Sequence, residues 1–325
     1  MTSTSRAISL GALLFIAVTS LFIALLFGSV PLSAPQILTS LFSSTPGIDH
    51  DIVWKLRLPR ALAAFACGGL LAISGVLLQV LLRNPLADPY VLGVSGGAAL
   101  GALVALLLGA GGAAFLHLGA LAGAFAAIAI VFALSFRAGD WNVHRLLLTG
   151  IVLSAGFTAL ISLLLVLAPQ VQLRGMLFWL MGDLSDADNS TIAWIVLALV
   201  LALFIAFARN LDVLALGSLK ARALGVAVAP LQAAIYFGAA LATVAAVLLG
   251  GSIGFVGMMV PHALRLIGVH AHRWLLPGAA LLGGSFVVLA DTLARAAWAP
   301  QQLPVGVFTA LIGVPALLIL LSRKP

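Results

Sequence analysis

The chain has 325 residues, 63% of them hydrophobic and only 8% charged, with a mean hydropathy of +1.24. Soluble domains run at about 45–50% apolar and about 25% charged, and none has enough interior to hide this much apolar side chain. All nine acidic residues are Asp, and sixteen Lys and Arg give a formal charge of +7. The cations come one to three per loop with no basic stripe, which excludes a nucleic-acid surface and fits positive-inside topology.

A hydrocarbon core of about 30 Å takes about 17–25 helical residues, and backbone groups in lipid must be bonded within their own segment. The pattern therefore predicts an all-α polytopic protein with about ten transmembrane helices, at about 8–28, 60–82, 93–109, 114–136, 146–168, 191–208, 231–249, 253–268, 275–294 and 305–322. The first apolar stretch, after Arg6, has the position of a signal peptide, but it is long and lacks a small-x-small cleavage site. It is taken as the first span. With both termini cytoplasmic, eleven of the sixteen cations fall inside, while Lys55, Arg57, Arg60, Arg174 and Arg295 fall outside.

Along the chain, the first long connection, Gly28 to Lys55, is external and rich in Ser and Pro. Cys67, the single cysteine, lies within the second span, so no intramolecular disulfide or cysteine metal cluster is possible. Gly93, Gly97 and Gly101 recur every four residues, as do Gly119 and Gly123, which lets neighbouring helices approach closely. Gly75 precedes Arg83 by eight residues and Gly257 precedes Arg265 by eight, a weak echo between the second and eighth spans. A second long external connection runs from Gln170 to Asn189. The longest internal one, Arg209 to Pro230, places Leu211, Leu214, Ala215, Leu219 and Ala223 on one helical face, an amphipathic helix punctuated by Gly217 and Gly225.

Chemistry-bearing motifs are few. No Gly-Lys dipeptide occurs, so the phosphate-cradling GxxxxGK[ST] loop is absent and any ATP is bound by another subunit. GVSG at 93–96 matches the GxSG of intramembrane serine proteases, with His262 as the imaginable base for Ser95. The alternative is that Ser95 is a small packing residue in a glycine-rich helix. His50, His117, His144, His262, His270 and His272 form no metal-ligand cluster. His270 and His272 belong to an internal turn expected to be solvated, whereas His50 and His117 are external and could meet a metal-bearing substrate. Asp291 and Arg295, four apart, either neutralise each other or leave Arg295 reaching toward an acidic partner. Arg57 and Arg60 flank Pro59 at the start of the second span, where the positive helix terminus disfavours arginine, so helix stability does not explain them. Apart from Asp291 no span holds an interior acid, which speaks against a stand-alone ion-coupled transporter.

RLPR at 57–60, NPLADPYVLGVSGGAALG at 84–101, LALGSLKARALG at 214–225, GSIGFVGMMVPHALRLIG at 251–268 and LPVGVFTALIGVP at 303–315 occur in that order. By these five motifs, from about residue 55 to the C-terminus, the chain resembles the FecCD family, permeases of binding-protein-dependent importers for ferric siderophores, heme and cobalamin. The resemblance implies a single permease domain over 1–325 in the bacterial inner membrane, working as a homodimer with the pathway between its two copies. It implies two cytoplasmic ATPase subunits that use ATP and Mg, a periplasmic binding protein, and no cofactor bound by this chain. The loop at about 209–230, with Leu214, Ala215, Leu216, Gly217, Ser218, Lys220, Arg222 and Gly225, is implied to be the ATPase coupling element. Arg57, Arg60 and Arg295 match arginines that receive acidic residues of the binding protein. Asn84, Leu86, Asn142 and Val143 match the inner narrowing of the pathway, although WNVHRLLL departs from the small hydroxyl residues expected there. Met176, Phe178, Trp179 and Met181 are expected along the pathway, and the cargo is expected to be heme or a ferric siderophore, with those four residues, His50 and His117 pointing to heme. Cobalamin is the alternative.

Overall fold

The computed structural model describes residues 3–322 except 29, 31, 43–46, 109–111, 138, 139, 142, 186, 188 and 300. Helix α1 covers Ser3–Leu26, and two short helices follow, α2 over Ala34–Phe42 and α3 over Ile48–Asp51. A π-helical turn at Ile52–Arg57 then leads into α4, Leu58–Leu82. Pro59 accounts for that turn: its missing N–H and its ring deny the preceding carbonyls their regular partners, and Leu58 N–H reaches back to Val53 instead. A 3-10 turn at Pro89–Leu92 precedes α5, Val94–Leu107, and α6 covers Gly112–Ser135. A two-residue hairpin, β1 Phe136–Arg137 with β2 Asp140–Trp141, is the one departure from an all-helical chain among the described residues. The remaining helices are α7 Val143–Leu167, α8 Gln170–Met181, α9 Thr191–Ala206, α10 Ala208–Ala215, α11 Ser218–Ala223, α12 Val228–Gly250, α13 Val256–Leu266, α14 His272–Ala296 and α15 Val305–Ser322.

Five described helical stretches are long and apolar enough to cross a membrane alone, and α9 with α10, bent by 67°, would make a sixth. Leu10–Leu26, Val94–Leu107 and Val305–Ile319 are shorter apolar helices. Nine predicted spans thus coincide with apolar helices. The tenth, 253–268, is helical only over α13, whose eleven residues rise about 16 Å, because residues 251–255 are non-helical.

Apolar side chains gain little by leaving lipid for one another, so close backbone approach at small residues organises the bundle. Helix α4 is its axis. A Cβ at Gly68 would collide with the Gly283 carbonyl of α14, and one at Gly75 with the Gly257 carbonyl of α13. Gly75 and Gly257, alike in the sequence only in their spacing to an arginine, thus meet where α4 crosses α13. Gly97 and Gly101 of α5 likewise oppose Gly123 and Gly119 of α6. Ser74 Oγ donates to the Ala239 carbonyl at 2.9 Å and lies 2.8 Å from Thr243 Oγ1, fastening α4 to α12.

Two half-length helices, α5 and α13, begin from neighbouring turns. Tyr90 OH donates to the Ile253 carbonyl at 2.8 Å and accepts from Ile253 N–H at 2.7 Å. Phe255, which precedes α13, has φ +70, an unfavourable value for a bulky residue that costs about 1–3 kcal/mol and persists only where packing imposes it. Here α15 imposes it, for Gly313 packs directly against the Phe255 side chain.

Candidate transport site

At one end of the bundle, Arg57, Arg60 and Arg295 converge around a cavity of about 220 Å³ that also involves Gly28, Ser185 and Gln302. The guanidinium of Arg57 donates to the Leu26 carbonyl at 3.0 Å and to the carbonyls of Leu25 and Val30. These include the last carbonyls of α1, which have no partner within their own helix. A cation at a helix C-terminus also meets the negative end of the macrodipole. Helix stability does explain Arg57, then, but the helix is α1 and not the one it precedes.

Arg60 grips Asp291 with Nε 3.1 Å from both carboxylate oxygens and Nη2 2.8 Å from Oδ1, and its Nη1 donates to Gln302 Oε1 at 2.7 Å. Arg295 Nε donates to Asp291 Oδ2 at 3.0 Å. Both alternatives for the Asp291/Arg295 pair are thereby revised, because one carboxylate serves two guanidiniums from different helices. The three arginines are 4–9% exposed, turned inward and not reaching outward. Their charges still exceed the single Asp291. Lys55 at the mouth is exposed and pairs with Asp51 at 2.9 Å.

At the opposite end, the amphipathic segment is interrupted at the two glycines expected to punctuate it, but the apolar face expected to run across Gly217 does not do so. Gly217, at φ +114, separates α10 from α11, and Gly225, at φ +80, closes α11. The break rotates the apolar face: Leu211, Leu214 and Ala221 are buried, while Ala215, Leu219 and Ala223 are exposed. Leu216, Leu219 and Leu224 stand 62–83% exposed beside Lys220 and Arg222, and Ser218 and Gly217 are half-buried between them. Arg83 Nη1, at the end of α4, lies 3.7 Å from where a Gly217 side chain would begin. The NPL turn and the coupling segment are therefore neighbours.

In that turn Asn84 is exposed and its Oδ1 accepts from Leu86 N–H at 2.9 Å, with Leu86 exposed beside it. Val143 opens α7 and is half-buried, whereas Asn142 lies outside the described residues. Helix α8 carries the Met and aromatic set. Met176 is fully buried and cannot line an open passage, Phe178 lies beneath the Arg174 guanidinium at 5.4 Å, Trp179 is half-buried, and Met181 is exposed. Gly251 packs on the Trp179 carbonyl and Gly306 on that of Met181, so the GSIG and LPVG motifs meet at the end of α8.

Ser95 Oγ lies 2.8 Å from Ser252 Oγ, and a serine cannot serve as its base. The nucleophile alternative lapses and Ser95 joins two turns. His50 faces the Ser40 carbonyl at 3.2 Å, and His117 lines a cavity of about 350 Å³ with Asn189, Ala193 and Leu248. No group of His, Cys, Asp or Glu able to hold a metal occurs among the described residues. Sequence reasoning missed Tyr90, Ser252 and Gln302. The first two lie inside conspicuous motifs, but only their contacts across the fold, Tyr90 with Ile253 and Ser252 with Ser95, reveal what they do.

Apolar helices, half-helices meeting at polar turns, a cationic cavity at one end and an uncovered apolar segment at the other define a multi-pass membrane permease and not an enzyme. The model of the FecCD transport family matches residues 14–323. The chain belongs to that family, and it is a permease of an ABC importer. It is 41% identical over 273 residues to the vitamin B12 import system permease protein BtuC of Shigella sonnei (strain Ss046), covering 83% of each chain. The BtuC protein of Escherichia coli O127:H6 matches to the same extent. A solved inward-facing conformation of an ABC transporter of metal-chelate type aligns with TM-score 0.85 at 31% identity, over 98% of this chain and 100% of that one. PsaBC from Streptococcus pneumoniae in complex with Fab aligns with TM-score 0.55 at 20% identity, over 85% of this chain and 95% of that one, a likeness of fold alone.

Proposed function

We propose that this chain is the membrane subunit of a bacterial inner-membrane importer that carries cobalamin or a close corrinoid chelate into the cytoplasm. The observation that carries this reading is the 41% identity to permeases named for vitamin B12, sustained over 83% of both chains. It favours cobalamin over the heme or ferric siderophore suggested by His50, His117 and the α8 side chains. His50 already faces a backbone carbonyl and Met176 is buried, which further weakens that suggestion.

Both termini lie in the cytoplasm in this reading, and the partners follow from the two ends of the bundle. Three guanidiniums with the single carboxylate of Asp291 among them leave a positive cavity suited to acidic side chains of a periplasmic binding protein, since arginine forms strong, oriented bonds to carboxylates. Leu216, Leu219 and Leu224, uncovered beside Lys220 and Arg222, suit a groove in each of two ATPase subunits that hydrolyse ATP with Mg. Helix α7 leaves Leu148, Val152, Leu163 and Val166 uncovered with Gly156 among them, a face suited to close approach by a second copy.

Proteoliposomes holding this chain, its ATPase and its binding protein test the reading with labelled cobalamin, heme and ferric siderophore. ATP-dependent uptake of cobalamin in preference to the others is expected. Preferential uptake of heme or siderophore would overturn the substrate, and uptake without the ATPase would overturn the importer.

A further inference from the structure

Helix α14 begins without a cap of its own. Ala271 occupies the N-cap position in extended conformation and supplies no side-chain acceptor for the first N–H groups. The acceptor comes from another helix. Asp212 of α10 accepts from the His272 backbone N–H at 2.9 Å, and the same Oδ1 lies 2.5 Å from His272 Nδ1. A carboxylate there satisfies an unpaired donor and meets the positive end of the macrodipole. His272 was expected in a solvated turn, yet it is 4% exposed, and its Nε2 is buried with no hydrogen-bond partner. The ring's polar attachment therefore runs through Nδ1 to Asp212, whose own side chain is 41% exposed.

The position of this contact gives it a consequence. Helix α10 lies between two breaks, the 67° bend after α9 and the left-handed Gly217. Leu211 and Leu214 hold it against the core through apolar contacts, which are non-directional and permit sliding. The Asp212–His272 contact is directional and admits no sliding. Helix α14 then continues for about 34 Å, through Pro277 in its second turn, to Asp291 and Arg295, where Arg60 joins them. One helix thus ties the coupling segment to the arginine cavity.

We propose that Asp212 and His272 are positioning residues of the transport cycle, their contact being the joint that passes displacement of residues 208–225 to α14. This rests on the reading of that segment as the ATPase-docking element. The test uses the complete transporter in proteoliposomes, with whichever of cobalamin, heme and ferric siderophore the unmutated protein takes up. The quantity measured is substrate moved per ATP hydrolysed. A merely stabilising contact would lower the amount of assembled transporter and leave that ratio unchanged.

For Asp212→Ala and His272→Ala the ratio is expected to fall about tenfold, as for loss of a charge-assisted hydrogen bond, and the double variant should be no worse than either single one. His272→Asn, whose amide nitrogen overlays Nδ1, should restore coupling. If Asp212→Ala does not assemble, Asp212→Asn, which keeps an acceptor but loses the charge, carries the same comparison. Unchanged ratios in the single variants, or losses that multiply in the double, would overturn the joint. Gly217→Trp isolates the reading beneath it. Blocked transport there with normal ratios at 212 and 272 overturns the joint alone, whereas normal transport in Gly217→Trp removes the docking segment and the joint with it.

Discussion

Helices α4 and α7 are each 25 residues long and nearly equal in apolarity, with mean hydropathy 2.2 for the stretch containing α4 and 2.4 for α7. Yet 94% of the one apolar window is buried and 6% of the other. Hydropathy therefore says that both belong in a membrane and nothing about which forms the axis. The difference lies in small residues that meet backbone. Gly68 and Gly75, spread along α4, meet carbonyls of α14 and α13, whereas of the α7 glycines Gly150 meets the Val91 carbonyl near the start of the helix and Gly156 has nothing within 4 Å of where its side chain would start. In lipid, dispersion at close approach decides packing, because the surroundings are as apolar as the side chains.

The largest expected effect breaks the buried side of this contrast. Gly75→Leu has no room against Gly257, whose carbonyl oxygen the new Cβ would overlap; a rigid backbone clash goes well beyond the about 1–3 kcal/mol of ordinary overpacking, so the folded protein should be lost from membranes and from detergent melting curves. A stable, normally expressed Gly75→Leu protein would show that the crossing is loose. Next comes the arginine cavity, which shares the axis at its other end. Asp291→Asn leaves Arg60 and Arg295 buried without a countercharge and should destabilise by about 3–5 kcal/mol. Replacing Arg295 by Met should cost less, because Arg60 then keeps its carboxylate; melting temperatures in that order are expected, and the reverse order would contradict the shared-carboxylate geometry.

Gly156→Leu sharpens the exposed side. It should leave the melting temperature of the monomer unchanged and lower the dimer fraction in native mass spectrometry, by about 1 kcal/mol or more of lost close packing. An unaffected dimer would move the second copy off this face of α7. The smallest effect belongs to the exposed Lys55–Asp51 pair, with 70% and 55% of the side chains uncovered. Asp51→Asn should change stability by less than about 1 kcal/mol, while Lys55→Glu should slow binding-protein association and reduce its salt dependence.

From the sequence alone, membrane residence, the apolar helices, the family and the glycine rows that pair α5 with α6 were all legible. Each is written in local composition or in contiguous motifs, and lipid demands internally bonded helices whatever the tertiary packing. What only the tertiary structure decided is which residues from distant motifs share an atom. Arg57 caps α1 across thirty-odd positions, Arg60 reaches Asp291 two hundred and thirty-one positions away, and Asp212 caps α14 from α10. The glycines that punctuate the coupling segment were legible too, but the one apolar face expected across them fails for a related reason. Gly217 at φ +114 breaks the helical period, so the face that periodicity assigns ceases to exist beyond it. Half-length α13 escaped for the same kind of cause, since apolarity along the chain runs across the non-helical residues 251–255 without registering that the helix is interrupted there. Long-range hydrogen bonds and positive backbone angles are set by where chains cross, and a one-dimensional period carries no record of the crossing.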